Sequence, residues 1–297
     1  MTLFLGKEVY LYDIQQNFEP IMKLIQAVHA DDFVSYGTAK IRERFLLDEL
    51  KEKDKANFVY AHYDRMVTGL VHPGAEAITL GNYPILRAEY FLERREMGII
   101  NVGGKGSITA DGVTYELNKL DALYLGKGVR EVSFSSADAA APAVFYTLSA
   151  PAHQTYPTTF LAHADAFSAP LGSLETANER RIVRYIHKDG IQSCQLVMGL
   201  TILSTGSVWN TIPPHTHDRR MEVYFYFDVE EDQRVFHYMG EPQETRHIVV
   251  ANHQAVLSPT WSIHAGSGTK NYSFIWGMAG ENLDYADMDT IPVTEIR

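Results

Sequence analysis

The chain has 297 residues, of which 45% are hydrophobic and 21% are charged. These values are typical of a globular protein with one large or two smaller domains. The formal net charge of −11 at pH 7 argues against nucleic acid or an anionic membrane as a partner, because both require a basic surface. An anionic small molecule is not excluded, since a few local arginines would bind it.

The N-terminal residues MTLFLGKEVYLYDI contain no basic region and only a very short apolar run, so no signal peptide is expected. No stretch approaches the roughly 18 apolar residues of a membrane span. The single cysteine, Cys194, excludes an intramolecular disulfide, and its apolar surroundings, SCQLVMGL, favour a buried thiol over a catalytic one. These features predict a cytoplasmic protein.

Residues 1–57 are predicted to form a helical extension. The segments IMKLIQAVHA and IRERFLLDELKEKDKA have apolar residues three or four apart with charges between them, a pattern typical of amphipathic helices. From about Phe58 to about Met278 the sequence consists of short β-rich runs punctuated by Gly, Asn, Asp and Pro. This pattern predicts an all-β region of sandwiches or barrels.

A segment with three prolines, 151–179, is predicted to link two barrels formed by 58–150 and 180–297. A weak internal repeat supports two barrels: FLERREMGII in the first half can be laid on HTHDRRMEVYF in the second, with one pair of arginines over another. Further on, DALYLGKGVRE can be laid on QAVLSPTWSIH. In the first half, Asp111-Gly112 between alternating residues predicts a tight hairpin.

The stretch PPHTHDRRMEVYFYF carries the residues with the clearest chemistry. In a strand, His215 and His217 point to the same face. Glu222 follows five residues after His217, which is the wrong parity for an uninterrupted strand, so a turn or bulge is required between them. Beyond it, Glu222, Tyr224 and Tyr226 share one face and are predicted to line a partly polar interior.

A fourth ligand is offered by His264 in LSPTWSIHAGSG, on a strand expected to fold back alongside. Three neutral imidazoles and one carboxylate suit Zn, Fe, Mn, Co or Ni, and this ligand set does not choose among them. The first half of the repeat has Tyr90, Leu92 and Glu131 at the positions of the three histidines. That half is therefore predicted to hold no metal.

These motifs carry a resemblance to a known family. HTHDRRME matches the H-x-H-x4-E core of the first cupin motif, and Pro259 to His264 matches P-x-G-x-x-H of the second, with Trp261 where cupins usually have Gly. Together with YFLERREMGIINVGG and PQETRHIV, they make residues 38–297 resemble the 5-keto-4-deoxyuronate isomerases. The resemblance implies an all-β bicupin, with two tandem jelly-roll barrels and a few mainly N-terminal helices.

The resemblance also implies one zinc per subunit, held by His215, His217, Glu222 and His264, and a homohexamer. The implied reaction is the aldose–ketose isomerisation of 4-deoxy-L-threo-5-hexosulose uronate to 3-deoxy-D-glycero-2,5-hexodiulosonate in pectin breakdown. Two alternatives stay open: an Fe(II) cupin dioxygenase, which could use the same ligands, and a non-catalytic sugar-binding bicupin. A nucleotide enzyme or serine hydrolase is not expected, because neither a P-loop nor a G-x-S-x-G motif is present.

Several residues are candidates for roles around the metal. Glu222 and His247 are candidate bases, and Tyr224 or Tyr226 could move a hydroxyl proton. Ordinary structural roles are also open for His247 as a core histidine and for the tyrosines as barrel packing. The candidates for binding the substrate carboxylate through a bidentate pair are Arg94, Arg95, Arg219 and Arg220, of which the last two could equally be solvated turn residues.

Overall fold

The computed structural model describes residues 22–297. The first half contains β1 (Lys23–Ile25), α1 (Ala30–Phe33), α2 (Thr38–Phe45), β2 (Leu46–Leu47), β3 (Lys55–Ala61), β4 (Val67–His72), β5 (Ile78–Thr79), β6 (Arg95–Asn101), β7 (Gly106–Ala110), β8 (Val113–Leu117), β9 (Ala122–Leu125), β10 (Val132–Ser136), β11 (Phe145–Pro151) and β12 (Thr159–Leu161). The second half contains β13 (Phe167–Leu171), β14 (Arg180–Ile186), β15 (Val197–Leu203), β16 (Trp209–Asn210), β17 (His215–Thr216), β18 (Arg220–Phe227), β19 (Val235–Glu241), β20 (Glu244–Val250), β21 (Gln254–Ser258), β22 (Ile263–Gly268), β23 (Ser273–Gly280) and β24 (Asp289–Thr290).

Each half forms a jelly-roll barrel from a seven-stranded and a four-stranded sheet. The first has the orders β1-β3-β4-β11-β6-β9-β12 and β5-β10-β7-β8, and the second has β13-β14-β15-β23-β18-β21-β2 and β16-β22-β19-β20. The four-stranded orders correspond strand for strand, and so do the five inner strands of the seven-stranded sheets, so the weak repeat in the sequence reflects two copies of one core topology. The outer strands differ, since β1 pairs in parallel and β13 antiparallel, and β2 reaches the second barrel from the N-terminal part of the chain. The predicted all-β architecture of two tandem barrels is confirmed.

The two seven-stranded sheets pack against each other through their apolar faces. Phe225 stacks on Tyr146 of the first barrel with ring centroids 4.1 Å apart, and Val223 and Phe227 are buried in the same cluster. Gly98 makes this close approach possible, because a Cβ there would lie only 2.6 Å from the Ile186 side chain. The apolar face of β18 therefore belongs to the core between the barrels.

The interiors of the two barrels differ in character. The first is filled by apolar side chains, including Ile99, Leu123 and Phe134. The opposite face of β18 in the second barrel instead carries the alternating residues Glu222, Tyr224 and Tyr226, all buried. The sequence periodicity thus places a polar interior in the second barrel only.

The structure corrects the expected boundaries of the flanking segments. The segment IMKLIQAVHA contains β1, which pairs in parallel with β3 and replaces the predicted helix. The open edge of β3 supplies the backbone hydrogen-bond partners that a helix would otherwise provide internally. The second predicted helix ends at Phe45, and Leu46 then pairs with Val256 of the second barrel. The part of the 1–57 extension before residue 22 lies outside the described residues.

The segment predicted as a linker also contributes strands. β12 pairs with β9 at the edge of the first barrel, and β13 pairs with β14 at the edge of the second. Prolines are compatible with these positions because an edge strand has one side without ladder hydrogen bonds. Among residues 22–297, no helix has the length and apolar character needed to cross a membrane.

Candidate metal centre

Four side chains predicted as metal ligands meet inside the second barrel. His215 begins β17, Glu222 is the third residue of β18, and His264 lies in β22 of the opposing sheet. Between β17 and β18 the chain turns, and the Arg220 amide donates to the His217 carbonyl across 3.2 Å. This turn resets the strand parity, which is why His217 and Glu222 reach the same point.

The donor atoms of this cluster are in mutual contact. His215 Nε2 lies 3.1 Å from His217 Nε2 and 2.9 Å from His264 Nε2. Glu222 Oε2 lies 3.0 Å from His217 Nε2 and 2.7 Å from His264 Nε2. One donor atom from each of the four residues lies within 4.8 Å of all the others.

Burial and the neighbouring side chains shift the pKa values of two of these residues. Burial lowers the pKa of His215 to about 2, and the neighbouring His264 adds to the effect. Burial by itself would raise the pKa of Glu222, but His264 and the hydrogen bond from His217 outweigh it and lower that pKa below its ordinary value. A neutral imidazole and an ionised carboxylate are the forms in which these groups bind metals.

The cluster therefore fits a divalent metal. Donors bound at ~2.0–2.1 Å to one zinc ion lie roughly 3 Å apart, which is close to the contacts between these atoms. Neutral imidazole nitrogens facing one another cannot all act as hydrogen-bond donors, and a shared cation would accept every lone pair. Histidine and carboxylate ligands suit several first-row metals, so the donor set does not identify the ion.

The segment near the C-terminus supports this cluster from outside. His217 Nδ1 lies 2.6 Å from the Asp287 carbonyl oxygen, to which the ring nitrogen donates its hydrogen. The Asp287 carboxylate accepts from Arg219 Nε at 2.7 Å, and this hydrogen bond is the main reason why the pKa of Asp287 falls to about 2. Such contacts fix the orientation of a ligating imidazole.

A cavity of about 370 Å³ opens onto the cluster. Its walls carry three of the four ligands, apolar groups, tyrosines and one arginine. The lining residues used below are Arg180, Ile182, Thr211, His215, His217, Glu222, Tyr224, Phe274, Trp276, Met278 and Tyr285. The cavity thus has a polar end at the ligands and an apolar wall formed largely by β23.

The two tyrosine candidates occupy different places. Tyr224 lines the cavity, and its hydroxyl lies 2.9 Å from Thr211 Oγ1. Tyr226 is fully buried beneath it, with its hydroxyl 2.8 Å from His237 Nδ1. Burial raises both tyrosine pKa values well above the ordinary range, so both remain neutral phenols. Of these two candidates, Tyr224 is the one that lines the cavity.

The structure places His247 away from this cavity. His247 lies on β20 next to the buried Ile248, and its own side chain is exposed. Strand alternation directs Ile248 and Val250 inward, and therefore directs His247 outward. This corrects the expectation that His247 lies beside the ligands.

The four arginine candidates are already engaged. Arg94 and Arg95 belong to the first barrel, where Arg94 is exposed and Arg95 donates to the carbonyls of Arg65 and Ser149. Arg219 forms ion pairs with Asp287 and Asp289. Arg220 is fully buried and donates to the carbonyls of Asp284 and Asp287. None of the four lines the cavity.

Sequence reasoning missed three residues around the cluster: Arg180, Thr211 and Asp287. Arg180 was detectable in principle, because RRIVRYI places three arginines, Arg180, Arg181 and Arg184, in an otherwise apolar strand. Thr211 and Asp287 reach the site from irregular segments that no periodic pattern marks.

The sequence is similar to proteins named as sugar-acid isomerases. The model of the KduI/IolB family matches residues 45–293. A protein of Lachnoclostridium phytofermentans is 54% identical over 276 residues, which cover 93% of this chain and 100% of that protein. One of Formosa agariphila is 56% identical over 262 residues, covering 88% and 94%. Both are named 4-deoxy-L-threo-5-hexosulose-uronate ketol-isomerase.

Solved structures show the same fold at low sequence identity. An IolB-like protein of Salmonella typhimurium superposes with a TM-score of 0.66 at 15% identity, covering 83% of this chain and 96% of that chain. Oxalate decarboxylase of Lactobacillus farciminis superposes with a TM-score of 0.58 at 10% identity, covering 86% and 90%. These similarities support the bicupin architecture.

Proposed function

Because the chain belongs to the KduI/IolB family and is an enzyme of the ketol-isomerase type, we propose that its substrate is 4-deoxy-L-threo-5-hexosulose uronate. The product is 3-deoxy-D-glycero-2,5-hexodiulosonate, and the reaction depends on one zinc ion per subunit. The observation that carries the proposal is the convergence of three histidines and Glu222 at a cavity, in a chain more than half identical to proteins named for this reaction.

The zinc ion would be held by His215, His217, Glu222 and His264, and when bound it supplies Lewis acidity that polarises the oxygens of the substrate. The reaction moves one proton from C2 to C1 and one hydroxyl proton from the C2 oxygen to the C1 oxygen. The protein must therefore supply a base near C2 and a proton carrier near the two oxygens.

Glu222 is suited to act as the base. Its Oε2 makes the contacts with His217 and His264, which leaves Oε1 to face a molecule in the cavity. Its lowered pKa keeps the carboxylate ionised. Oε1 takes the proton from C2 and returns it to C1, so the carboxylate ends the cycle as it began.

Tyr224 is suited to carry the hydroxyl proton. Its phenol lines the cavity beside the ligands, with ring centroids of Tyr224 and His264 5.3 Å apart. The phenol gives its proton to the C1 oxygen and takes up the proton of the C2 hydroxyl, so it ends the cycle as it began. Thr211 Oγ1 is within hydrogen-bond distance of the phenol oxygen and orients it. Tyr226 lies beneath Tyr224 and contacts His237, so it supports the ring of Tyr224 from below.

The wider setting of the enzyme rests on the family resemblance. We propose that it acts in the cytoplasm on uronates released from pectin, and that it assembles as a homohexamer. Light scattering on the purified protein would test the assembly, and a dimeric or monomeric mass would contradict it.

The reaction can be tested by NMR with the enzyme as purified, stripped with a chelator, and refilled with zinc. We expect conversion to the diulosonate that disappears on stripping and returns with zinc. Conversion that survives complete stripping would contradict the catalytic role of the metal. Absence of conversion in every state would contradict the proposed reaction, and oxygen uptake measured in parallel would then identify an iron oxygenase.

A further inference from the structure

The cavity that opens onto the metal ligands is also lined by a cationic group. Arg180, at the start of β14, lines the cavity and is 8% exposed. Its Nη1 donates to the Asn178 carbonyl oxygen at 2.8 Å. Within residues 22–297, no carboxylate forms an ion pair with it. Arg180 is therefore a buried cation whose charge is not compensated.

Such a group is unfavourable unless something binds it. Burial lowers the pKa of Arg180 below the ordinary arginine value, which reflects the loss of hydration of the charge. A guanidinium presents donors in a planar fork that matches a carboxylate through two parallel hydrogen bonds. The hydrogen bond from Nη1 to Asn178 occupies one of these donors, so the others remain available to a ligand.

The strand register orders the cavity wall from this arginine to the ligands. Ile182, two residues after Arg180, pairs with Thr201, and Thr201 pairs with Phe274. Along β23, Phe274 is followed by Trp276 and Met278, and Met278 pairs with Glu222. An apolar row of Ile182, Phe274, Trp276 and Met278, with the polar side chain of Thr201 between the first two, thus lies between the cation and the carboxylate.

This order matches the polarity of an open-chain deoxy uronate. Such a molecule has a carboxylate at C6, a ketone at C5, a methylene at C4, a hydroxyl at C3, and the reacting oxygens at C1 and C2. With C1 and C2 at Glu222, the methylene meets the apolar row and the carboxylate points towards β14. The other arginine candidates cannot replace Arg180 here, because none of them lines the cavity.

We infer that Arg180 binds the C6 carboxylate of the substrate and so selects acidic over neutral open-chain sugars. The inference rests on the proposed function for the identity of the substrate. The recognition itself concerns the carboxylate and its position relative to the reacting oxygens.

The test compares the wild type with Arg180→Gln on two substrates, the deoxy uronate and its C6 methyl ester. We expect the variant to raise KM for the acid by about 30-fold or more, in line with the strength of hydrogen bonds between charged groups, and to change kcat less than threefold. The ester should show the same high KM with both proteins. An unchanged KM for the acid in the variant, or equal KM values for acid and ester in the wild type, would overturn the inference.

Two controls separate binding from folding. Arg181→Gln alters the next residue of β14, whose side chain is exposed and donates to Ser168 Oγ, and it should leave KM unchanged. Arg180→Gln should retain its metal and should not melt at a lower temperature than the wild type, because the guanidinium has no ionic partner to lose. A lower melting temperature, together with a rise in KM and a fall in kcat by equal factors, would indicate a purely structural role for Arg180.

Calorimetric binding of the acid gives a readout that does not need turnover. If the wild type fails to isomerise the acid, the proposed function fails. The same titration still decides the role of Arg180, since weaker binding only in the Arg180→Gln variant supports it and equal binding overturns it.

Discussion

His264 is the ligand candidate contributed by the four-stranded sheet, and it faces both His215 and Glu222 across less than 3 Å. Replacing it with alanine removes one imidazole from the donor set and leaves the other three residues in place. We expect His264→Ala to lose zinc and isomerase activity together, with activity reduced at least about 100-fold. Metal analysis and NMR turnover on the same preparation check this, and full turnover without metal would contradict the site.

His247→Ala is the matched control, because it also removes a histidine from a strand of the same sheet. Its side chain is exposed on the outer face of β20. We expect metal content and turnover within about twofold of the wild type. A large loss of kcat with retained metal would show that His247 acts as a base despite its position.

At the scale of single residues, the sequence indicated the four side chains that converge in the second barrel, but not most of the groups around them. His215, His217 and Glu222 lie in one short stretch, so strand parity together with one turn relates their side chains. Arg219 and Arg220 adjoin these ligands in sequence, yet both are held by the C-terminal segment. Although these two arginines are adjacent to the ligands in sequence, they do not line the cavity, because the chain turns between His217 and β18.

The element that supports the site is the C-terminal segment leading into β24. Its Asp287 carbonyl holds His217, while its Asp287 carboxylate holds Arg219 and accepts from Asn282 Nδ2 at 2.6 Å. Asp287→Ala should therefore loosen the segment and the imidazole. We expect zinc to dissociate about 10-fold more readily, the lower part of the range for partners of metal ligands, as measured by competition with a chromogenic chelator.

Asp289→Ala provides the comparison within the same element. Asp289 also pairs with Arg219, at 2.7 Å, but its side chain is exposed and makes no contact with a ligand. Its removal should change zinc affinity less than twofold. Equal effects of the two substitutions would show that the Arg219 charge, and not the position of Asp287, controls the site.

Strands were predicted more reliably in the barrels than at their edges. Alternation along β18 identified both of its faces correctly, because each face is buried against a different environment. β1, β2, β12 and β13 escaped detection since they are short and each forms an edge or the neighbour of one. Their conformation depends on backbone partners far away in sequence, which local spacing cannot reveal.

At the scale of the whole molecule, Glu96 connects the two barrels. This fully buried carboxylate of β6 accepts from the Tyr124 hydroxyl and from the amides of Cys194, Gln195 and Leu196, at 2.7 to 2.9 Å. The three amides lie in the second half of the chain. The carboxylate therefore accepts hydrogen bonds from amides that lose contact with water when the barrels pack together.

Glu96→Ala leaves those donors without a partner. We expect the free energy of unfolding to fall by about 3–5 kcal/mol, since breaking a buried charged network costs this much, as measured by urea denaturation. Glu116→Ala is the control: its exposed side chain pairs with Lys105 at 3.1 Å, and such pairs contribute about 0–1 kcal/mol. A loss below about 1 kcal/mol for Glu96→Ala would show that water replaces the carboxylate.

The stability of the molecule should also depend on pH through the buried His237 and the half-buried His253. Burial lowers the pKa of His237 to about 3. Burial, followed by the charges of Lys51, His72 and Lys119, lowers that of His253 to about 3. An unfolded histidine has a pKa near 6.5, so between about pH 6.5 and 3 the unfolded chain binds protons that the native chain does not. The free energy of unfolding must therefore decrease as the pH falls through this range.

His253→Asn isolates one of these protons. Asparagine tolerates the left-handed backbone at this position, where φ is 60°, better than most residues. For each histidine removed, the slope of unfolding free energy against pH should drop by about 1.4 kcal/mol per pH unit. Denaturation of zinc-loaded wild type and variant between pH 6 and 4.5 measures that difference, because contributions from the metal ligands are common to both proteins. Parallel curves would mean that His253 is already protonated in the native state, and the lysines around it would then have to be displaced from the ring.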